Sequence, residues 1–129
     1  MSSTATDDAE VRKEDQEKIN EFGGLNNRLL EIRADVKQLK LDAEKMDDAN
    51  VELMTNSSGD PDARVMVMIG EAFVEVSEDY ATEYCETKNE KLTSTIEGLM
   101  EEEKTILEKQ EVLKKDLYAR FGGSINLEA

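Results

Sequence analysis

The sequence of 129 residues contains no histidine, and it has only one cysteine and one proline. Without histidine the chain lacks the usual general base of enzymes and the commonest metal ligand. A single cysteine supplies neither a structural zinc site nor an internal disulfide, and no glycine-rich phosphate loop is present. Carboxylate pairs alone point to no particular reaction. We therefore predict a protein that is not an enzyme and that uses no cofactor or metal.

The sequence also lacks long apolar runs, and its acidic residues outnumber its basic ones. The sequence has 31 acidic and 16 basic residues, which give a formal net charge of −15. This excess disfavours binding to nucleic-acid phosphates and to anionic membranes. The longest apolar run, Val65 to Ile69, is far shorter than a transmembrane helix, and the polar start Met1 to Asp8 does not resemble a signal peptide. The composition predicts a soluble, cytoplasmic protein that binds neither nucleic acid nor membrane.

Apolar residues recur at alternating spacings of three and four in two long segments. The first series contains Phe22, Leu25, Leu29, Ile32, Val36, Leu39, Ala43 and Met46. The second contains Cys85, Leu92, Ile96, Leu99, Ile106, Leu113 and Leu117. This heptad pattern is typical of a helix that buries one narrow seam against another helix. The sequence therefore predicts a mainly α fold, a long antiparallel two-helix coiled coil.

A segment with strand character, about residues 64–77, separates the two heptad series. It follows a cluster of helix breakers around Pro61 and reads as two strands joined by a turn at Gly70-Glu71, where Gly70 supplies positive φ. Ser77 is then predicted to cap the second helix. A lone two-stranded hairpin is marginal in water. We therefore expect the hairpin to join a sheet built from several subunits; the alternative is that it packs on its own helices.

These patterns divide the chain into three parts. Residues 1–12 are polar and acidic and are predicted to be disordered. Residues 13–121 form the coiled-coil hairpin, and residues 122–129 form a flexible tail after Gly122-Gly123. Within the first helix, Gly23 and Gly24 lower the stability of the helix by ~2 kcal/mol relative to two alanines. We expect the helix to kink, fray or start again there.

The register between the helices is expressed by the sum of the residue numbers that face each other. A sum of 142 pairs Leu25 with Leu117 and Leu29 with Leu113, and its midpoint falls in the predicted turn. A sum of 135, one heptad away, loses the pair of Leu25 with Leu117. We therefore prefer 142. Polar residues in the seam commonly fix a register, and those found here are Asn50, Asn89, Glu103 and Gln110.

Apolar side chains also collect at the outer ends of both predicted helices. These residues are Ile19, Phe22, Leu25, Tyr118, Phe121, Ile125 and Leu127. Antiparallel pairing brings them together at the end of the coiled coil furthest from the hairpin. They either seal the coil or form an exposed site for another chain. The second hypothesis is favoured by Phe121, Ile125 and Leu127, which lie at or beyond the helix end, where no seam needs them.

Three stretches of the sequence resemble the β-type subunits of the prefoldin family. They are Glu14–Phe22, Met68–Val74 and Asp116–Ala129, and the last is the most specific. The resemblance, which covers about residues 11–129, implies an ATP-independent cytosolic chaperone. In that family two α-type and four β-type subunits form a hexamer, with a β-barrel platform and six coiled coils. The coiled coils hold unfolded proteins, notably actin and tubulin, and pass them to the cytosolic chaperonin.

The resemblance assigns roles to both apolar segments. The seven residues at the outer helix ends would contact client proteins. The strands would contact neighbouring subunits through Val65, Val67, Ile69, Gly70, Phe73, Val74 and Val76. The alternative function is a coiled-coil scaffold or tether without chaperone activity, but such a protein does not need the β-hairpin.

Overall fold

The computed structural model describes residues 10–127 of the chain. The elements follow in the order α1 (Lys13–Thr55), β1 (Arg64–Ile69), β2 (Ala72–Ser77), α2 (Glu78–Phe121) and a short 3₁₀ helix (Gly122–Ser124). This confirms the predicted fold class, two long antiparallel helices with one β-hairpin between them in the chain. Most of the predicted disordered segment 1–12 lies outside the described residues. Within residues 10–127, no helix combines the length and apolar character that crossing a membrane requires.

Side chains and glycine set the helix ends. At the start of α1, Asp15 accepts a hydrogen bond from the backbone N–H of Arg12 over 2.9 Å, one half of a capping box. At the start of α2, the backbone N–H of Tyr80 donates to Ser77 Oγ over 3.2 Å, which confirms the predicted cap. Gly122 has φ of 59° directly after α2, the conformation in which glycine commonly ends a helix.

The helix α1 runs without interruption through Gly23-Gly24. The predicted kink or restart there is therefore wrong. Neighbouring Phe22 and Leu29 are buried, and packing of an apolar face contributes more to helix stability in proteins than residue propensity does. The penalty of two glycines is small beside that contribution.

The chain divides into two compact units. The first contains α1 up to Asp35 and the chain from Leu99 onward, and the second contains Val36–Gly98. The first unit holds the three largest fully buried side chains, which are those of Leu29, Ile32 and Leu117. The second unit holds the β-hairpin, and among its buried residues are Ala81 and Cys85.

Ion pairs in the first unit define the helix register. Lys18 lies 3.5 Å from Asp116, and their numbers add up to 134. Other cross-helix pairs there are Asp15 with Arg120, Arg28 with Glu102 and Arg33 with Glu103. Their sums range from 130 to 136, so the register lies close to 135. The preferred value of 142 is wrong, and the alternative one heptad away is the one adopted.

The hairpin explains why the midpoint argument failed. Within the second unit, strand partners such as Arg64 and Ser77 add up to 141, so the turn is indeed at Gly70-Glu71. The helical partners Asp47 and Asn89, joined by a hydrogen bond of 2.8 Å, add up to only 136. Residues 56–63 separate α1 from β1, whereas β2 leads directly into α2. Because the extra residues lie only on the α1 side, facing residues of the helices have lower numbers in α1, and their residue-number sum is lower than that of the strand partners.

The strands form an antiparallel sheet with the expected alternation. Val65 pairs with Val76 and Val67 pairs with Val74, so these four side chains share one face. Gly70 has φ of 64°, which confirms its predicted place at the first turn position. Glu71 needs no positive φ, since no residue other than glycine shows one in residues 10–127. This combination is that of a II′ turn.

Candidate functional site

The apolar residues at the outer helix ends come together in the first unit. The buried members of this group, which we call the end cluster, are Phe22, Leu113, Leu117, Phe121 and Leu127. Half-buried Ile19, Leu25 and Ile125 pack against it. The prediction that residues near the outer ends of both helices come together is therefore correct. It did not include Leu113 and Leu117, which were assigned to the heptad seam.

The exposure of the end cluster decides between the two alternatives at its buried positions. Phe121 and Leu127 lie at or beyond the helix end, yet each is 5% exposed, so these two side chains seal the end of the coil and do not form an exposed surface. Phe22 is equally buried. Tyr118, at 38% exposed, presents the largest accessible apolar area among the predicted residues at this end. The physical reason is that the chain after α2 turns back and covers the cluster.

Three local interactions produce this reversal. Gly122, with positive φ, lets the chain leave the helix axis. Ser124 Oγ donates a hydrogen bond of 2.7 Å to the carbonyl of Phe121, which occupies one of the last free carbonyls of the helix. The backbone N–H of Leu127 donates to Tyr118 Oη over 3.3 Å. The described part of the segment predicted to be a flexible tail, residues 122–127, which we call the tail, is therefore docked on the end cluster.

A partly buried ion pair lies beside the end cluster, and the sequence reasoning missed it. Asp15 is 4% exposed and accepts a hydrogen bond of 2.9 Å from Arg120 Nε. The hydrogen bond from the backbone N–H of Arg12 and the hydrogen bond and charge of Arg120 lower the pKa of Asp15, and together they outweigh the desolvation that raises it. The sequence does contain a signal from which this pair could have been predicted: an acidic residue in the first turn of one helix and an arginine in the last turn of its antiparallel partner.

Two cations lie against aromatic rings of the end cluster. Lys114 Nζ is 6.0 Å from the centroid of the Phe22 ring, and the Arg120 guanidinium is 5.4 Å from that of Phe121. Both distances permit cation–π attraction. Both cations lie at the rim of the cluster, where Arg120 is also paired with Asp15.

The hairpin in the second unit presents two different faces. Val65, Val67 and Ile69, on one face, are half-buried. The opposite face carries Met66, Met68 and Phe73, which are 60%, 54% and 64% exposed. Val74 is 39% exposed although it lies on the Val67 side. The exposed methionines were not among our predicted assembly residues, and strand alternation was the signal that could have found them.

A cavity of about 390 Å³ lies between the half-buried face of the hairpin and the helices of the second unit. Its lining includes Met46, Leu53, Val65, Val67, Tyr84 and Cys85. Cys85 is a core residue, 5% exposed, and burial raises the pKa of its thiol. In residues 10–127 we find no group of three acidic, cysteine or histidine side chains that could hold a metal ion.

Residues 16–124 match the family model described as prefoldin subunit. A probable prefoldin subunit 4 from Dictyostelium discoideum is 38% identical over 121 residues, which cover 94% of this chain and 89% of that protein. Prefoldin subunit 4 from Bos taurus is 31% identical over 129 residues, covering 100% and 95%. The prefoldin β subunit from Thermococcus strain KS-1 superposes with a TM-score of 0.71 at 19% identity, covering 88% of this chain and 96% of the other, which shows the shared fold.

Proposed function

This chain belongs to the prefoldin family and is a subunit of a prefoldin chaperone complex, and from this premise we propose that its end cluster binds unfolded client proteins. The clients include actin and tubulin chains, which the complex passes to the cytosolic chaperonin. We place this activity in the cytoplasm. Members of the family are chaperone subunits and not enzymes.

One observation carries the proposal: apolar residues from both ends of the chain gather in one place at the helix ends. The heptad seam needs Leu113 and Leu117, but it does not need aromatic and aliphatic residues beyond it. The accessible part consists of Tyr118 and the half-buried Ile19, Leu25 and Ile125. Such a surface suits an unfolded chain, which exposes apolar side chains without a fixed shape.

Binding here requires no nucleotide. Apolar contact releases free energy in proportion to the area removed from water, and a small surface of this kind gives only weak affinity by itself. We propose that several coiled coils of a hexamer contact one client at the same time. Linked weak contacts of this kind raise the overall affinity by orders of magnitude. The client leaves when a stronger binder competes for its apolar segments.

The chain assembles with other prefoldin subunits, and we propose that the hairpin supplies the contacts. Met66, Met68 and Phe73 form an exposed apolar face, and the open edges of β1 and β2 carry unpaired backbone groups. Addition of neighbouring strands covers both. The predicted assembly residues Val65, Val67, Ile69, Gly70, Val74 and Val76 then act mainly by shaping the hairpin that presents this face.

A light-scattering assay with chemically denatured actin tests client binding. The prefoldin complex containing this chain should suppress actin aggregation, and Ile19→Ser with Leu25→Ser in this chain should reduce that suppression about two- to fivefold, as weak contacts are lost from one of several linked arms. The matched control is Leu30→Ser with Leu41→Ser, because both leucines are exposed and lie outside the end cluster. Equal suppression by both double variants would contradict the proposal. A wild-type complex without any suppression would favour the scaffold hypothesis instead.

A further inference from the structure

The tail occupies the end cluster in a way that resembles a bound peptide. Ile125 has extended backbone angles, with φ of −122° and ψ of 142°. Ile125 and Leu127 both pack on the cluster, while Asn126 between them is exposed. This is the pattern of an extended segment that directs alternate side chains to one surface.

The tail also makes a backbone contact of the kind that any extended peptide could make. The N–H of Leu127 donates to Tyr118 Oη, and a backbone N–H carries no information about the side chain. The Leu127 side chain is buried against Phe22, Leu113, Leu117 and Phe121. An unfolded protein segment with two apolar side chains two residues apart offers the same set of groups.

We propose that the tail is an internal occupant of the client site, and that a client segment with apolar residues at positions i and i+2 displaces it. This inference rests on the proposed client-binding function and makes it more specific. It changes the roles assigned to Ile125 and Leu127, which compete with the client instead of contacting it. The residues left to hold the client are Phe22, Leu113, Leu117, Tyr118 and Phe121, with Ile19 and Leu25 at the side.

Two features of the docked tail favour its release. It is joined to α2 through Gly122 and Gly123, and glycine has more conformational freedom than any other residue. The hydrogen bond to Tyr118 Oη is long, at 3.3 Å. A site that is free only part of the time binds its ligand with a proportionally weaker apparent affinity. The tail therefore weakens the binding of every client segment, and a segment with a single apolar side chain binds too weakly to be held.

The experiment uses the prefoldin complex containing this chain, with a fluorescent peptide that copies residues 122–127 as the probe. Leu127→Asp in the protein removes the side chain anchor of the tail, and the site should then bind the peptide about tenfold more tightly than the wild type does, as expected when the free fraction of the site rises from about one tenth to nearly one. Fluorescence anisotropy measures the two affinities. A peptide in which serine replaces isoleucine and leucine should bind neither protein.

A second, milder variant tests the same inference in case Leu127→Asp does not fold. Ser124→Ala removes the hydroxyl that donates to the carbonyl of Phe121 and leaves every residue assigned to hold the peptide unchanged, so it should tighten peptide binding about threefold, the loss of one neutral hydrogen bond that holds the tail. Hydrogen exchange at the Leu127 amide should be faster in Ser124→Ala, and in the wild type it should become faster when the peptide is added. Leu30→Asp is the control, since Leu30 is 57% exposed and lies outside the cluster; it should change neither readout.

The outcomes separate this inference from the proposed function. If Leu127→Asp and Ser124→Ala bind the peptide no better than the wild type, the tail is a structural plug and the inference is overturned, whatever happens with actin. If both variants bind the peptide tightly but the complex does not suppress actin aggregation, the tail does occupy a peptide site, and the actin assignment fails. Tighter peptide binding together with stronger suppression by the variants supports both.

Discussion

The carboxylate of Asp15 lies 2.9 Å from Nε of Arg120, two residues 105 positions apart in the chain. The same carboxylate accepts the backbone N–H of Arg12, and Arg120 also donates to the carbonyl of Glu10 over 2.6 Å. One ion pair therefore joins the first turn of α1 to the last turn of α2. It fixes the helix register at the place where the end cluster forms.

This pair predicts a specific dependence of stability on pH. The folded state lowers the pKa of Asp15, so the pair contributes its full stabilisation above the ordinary carboxyl pKa of about 4 and loses it as the pH falls through the lowered value. Asp15→Asn should therefore be less stable than the wild type at pH 7. The difference in unfolding free energy should shrink toward zero below the lowered pKa, as measured by urea unfolding from pH 7 to pH 2. A difference that is constant across this range would contradict the assignment.

Burial in the seam predicts that two leucines of α2 contribute very different amounts to the free energy of unfolding. Leu117 is fully buried, whereas Leu107 is 43% exposed. Leu117→Ala should lower the free energy of unfolding by about 3 kcal/mol, because it leaves a cavity in the end cluster. The same change at Leu107 should cost at most about 0.5 kcal/mol, the usual range for surface substitutions. Urea unfolding followed by circular dichroism measures both, and equal losses would show that the register is not the one described.

Replacing glycine by alanine should change the stability of the protein in opposite directions at different positions. Gly23 and Gly24 lie inside α1, and a Cβ at either position would meet no atom within 4 Å. Gly23→Ala and Gly24→Ala should each stabilise the protein by about 1 kcal/mol, because alanine is the better helix former. Gly70 has the same free space but φ of 64°, so Gly70→Ala should destabilise by about 1 kcal/mol. Thermal unfolding curves of the three variants distinguish the signs.

The exposed hairpin face predicts an assembly defect. Met68→Asp places a charge on this face and should abolish incorporation of the chain into the prefoldin complex, since an unpaired charge in an apolar interface is strongly unfavourable. Native mass spectrometry of the co-expressed subunits measures incorporation. Met100→Asp is the matched control, because Met100 on α2 is 48% exposed and Met68 is 54% exposed. Both variants should keep the helical circular dichroism signal, and normal incorporation of Met68→Asp would argue against this face.

The thiol of Cys85 predicts slow alkylation. Desolvation raises its pKa, and its side chain is buried, so both the thiolate fraction and the access of a reagent are reduced. At pH 8, iodoacetamide should modify the native chain more than about tenfold more slowly than the chain in 8 M urea, given the usual thiol pKa of about 8.5. Mass spectrometry over time gives both rates. Equal rates would mean that Cys85 is exposed in solution.

The fold class was predictable because each of its parts leaves a local signal. The heptad series marks a helix that buries one stripe, and Ser77 and Gly70 mark a helix start and a turn through their own hydrogen bonding and φ preference. The break expected at Gly23-Gly24 failed for the opposite reason. A local propensity of that size is outweighed by the packing of Phe22 and Leu29 on either side.

The end cluster was predictable in membership but not in exposure. Antiparallel pairing alone brings Phe22 near the end of α2, whatever the detailed register. Whether Leu127 is exposed depends on a reversal of the chain after Gly122, which the hydrogen bonds of Ser124 and of the Leu127 N–H hold in place. Nothing in the periodicity of the sequence specifies that reversal, because it begins where the helical pattern ends.

The amino-acid sequence by itself determined two long helices, one hairpin with its turn at Gly70-Glu71, and the apolar residues at the chain ends. Only the tertiary structure decided the register near 135, the pairing of Asp15 with Arg120 and the docking of the tail. The reason is that a seven-residue repeat looks the same after a slip of one heptad, so periodicity cannot choose between registers. Unequal connections to the hairpin and ion pairs between distant residues make that choice, and they exist only in the folded chain.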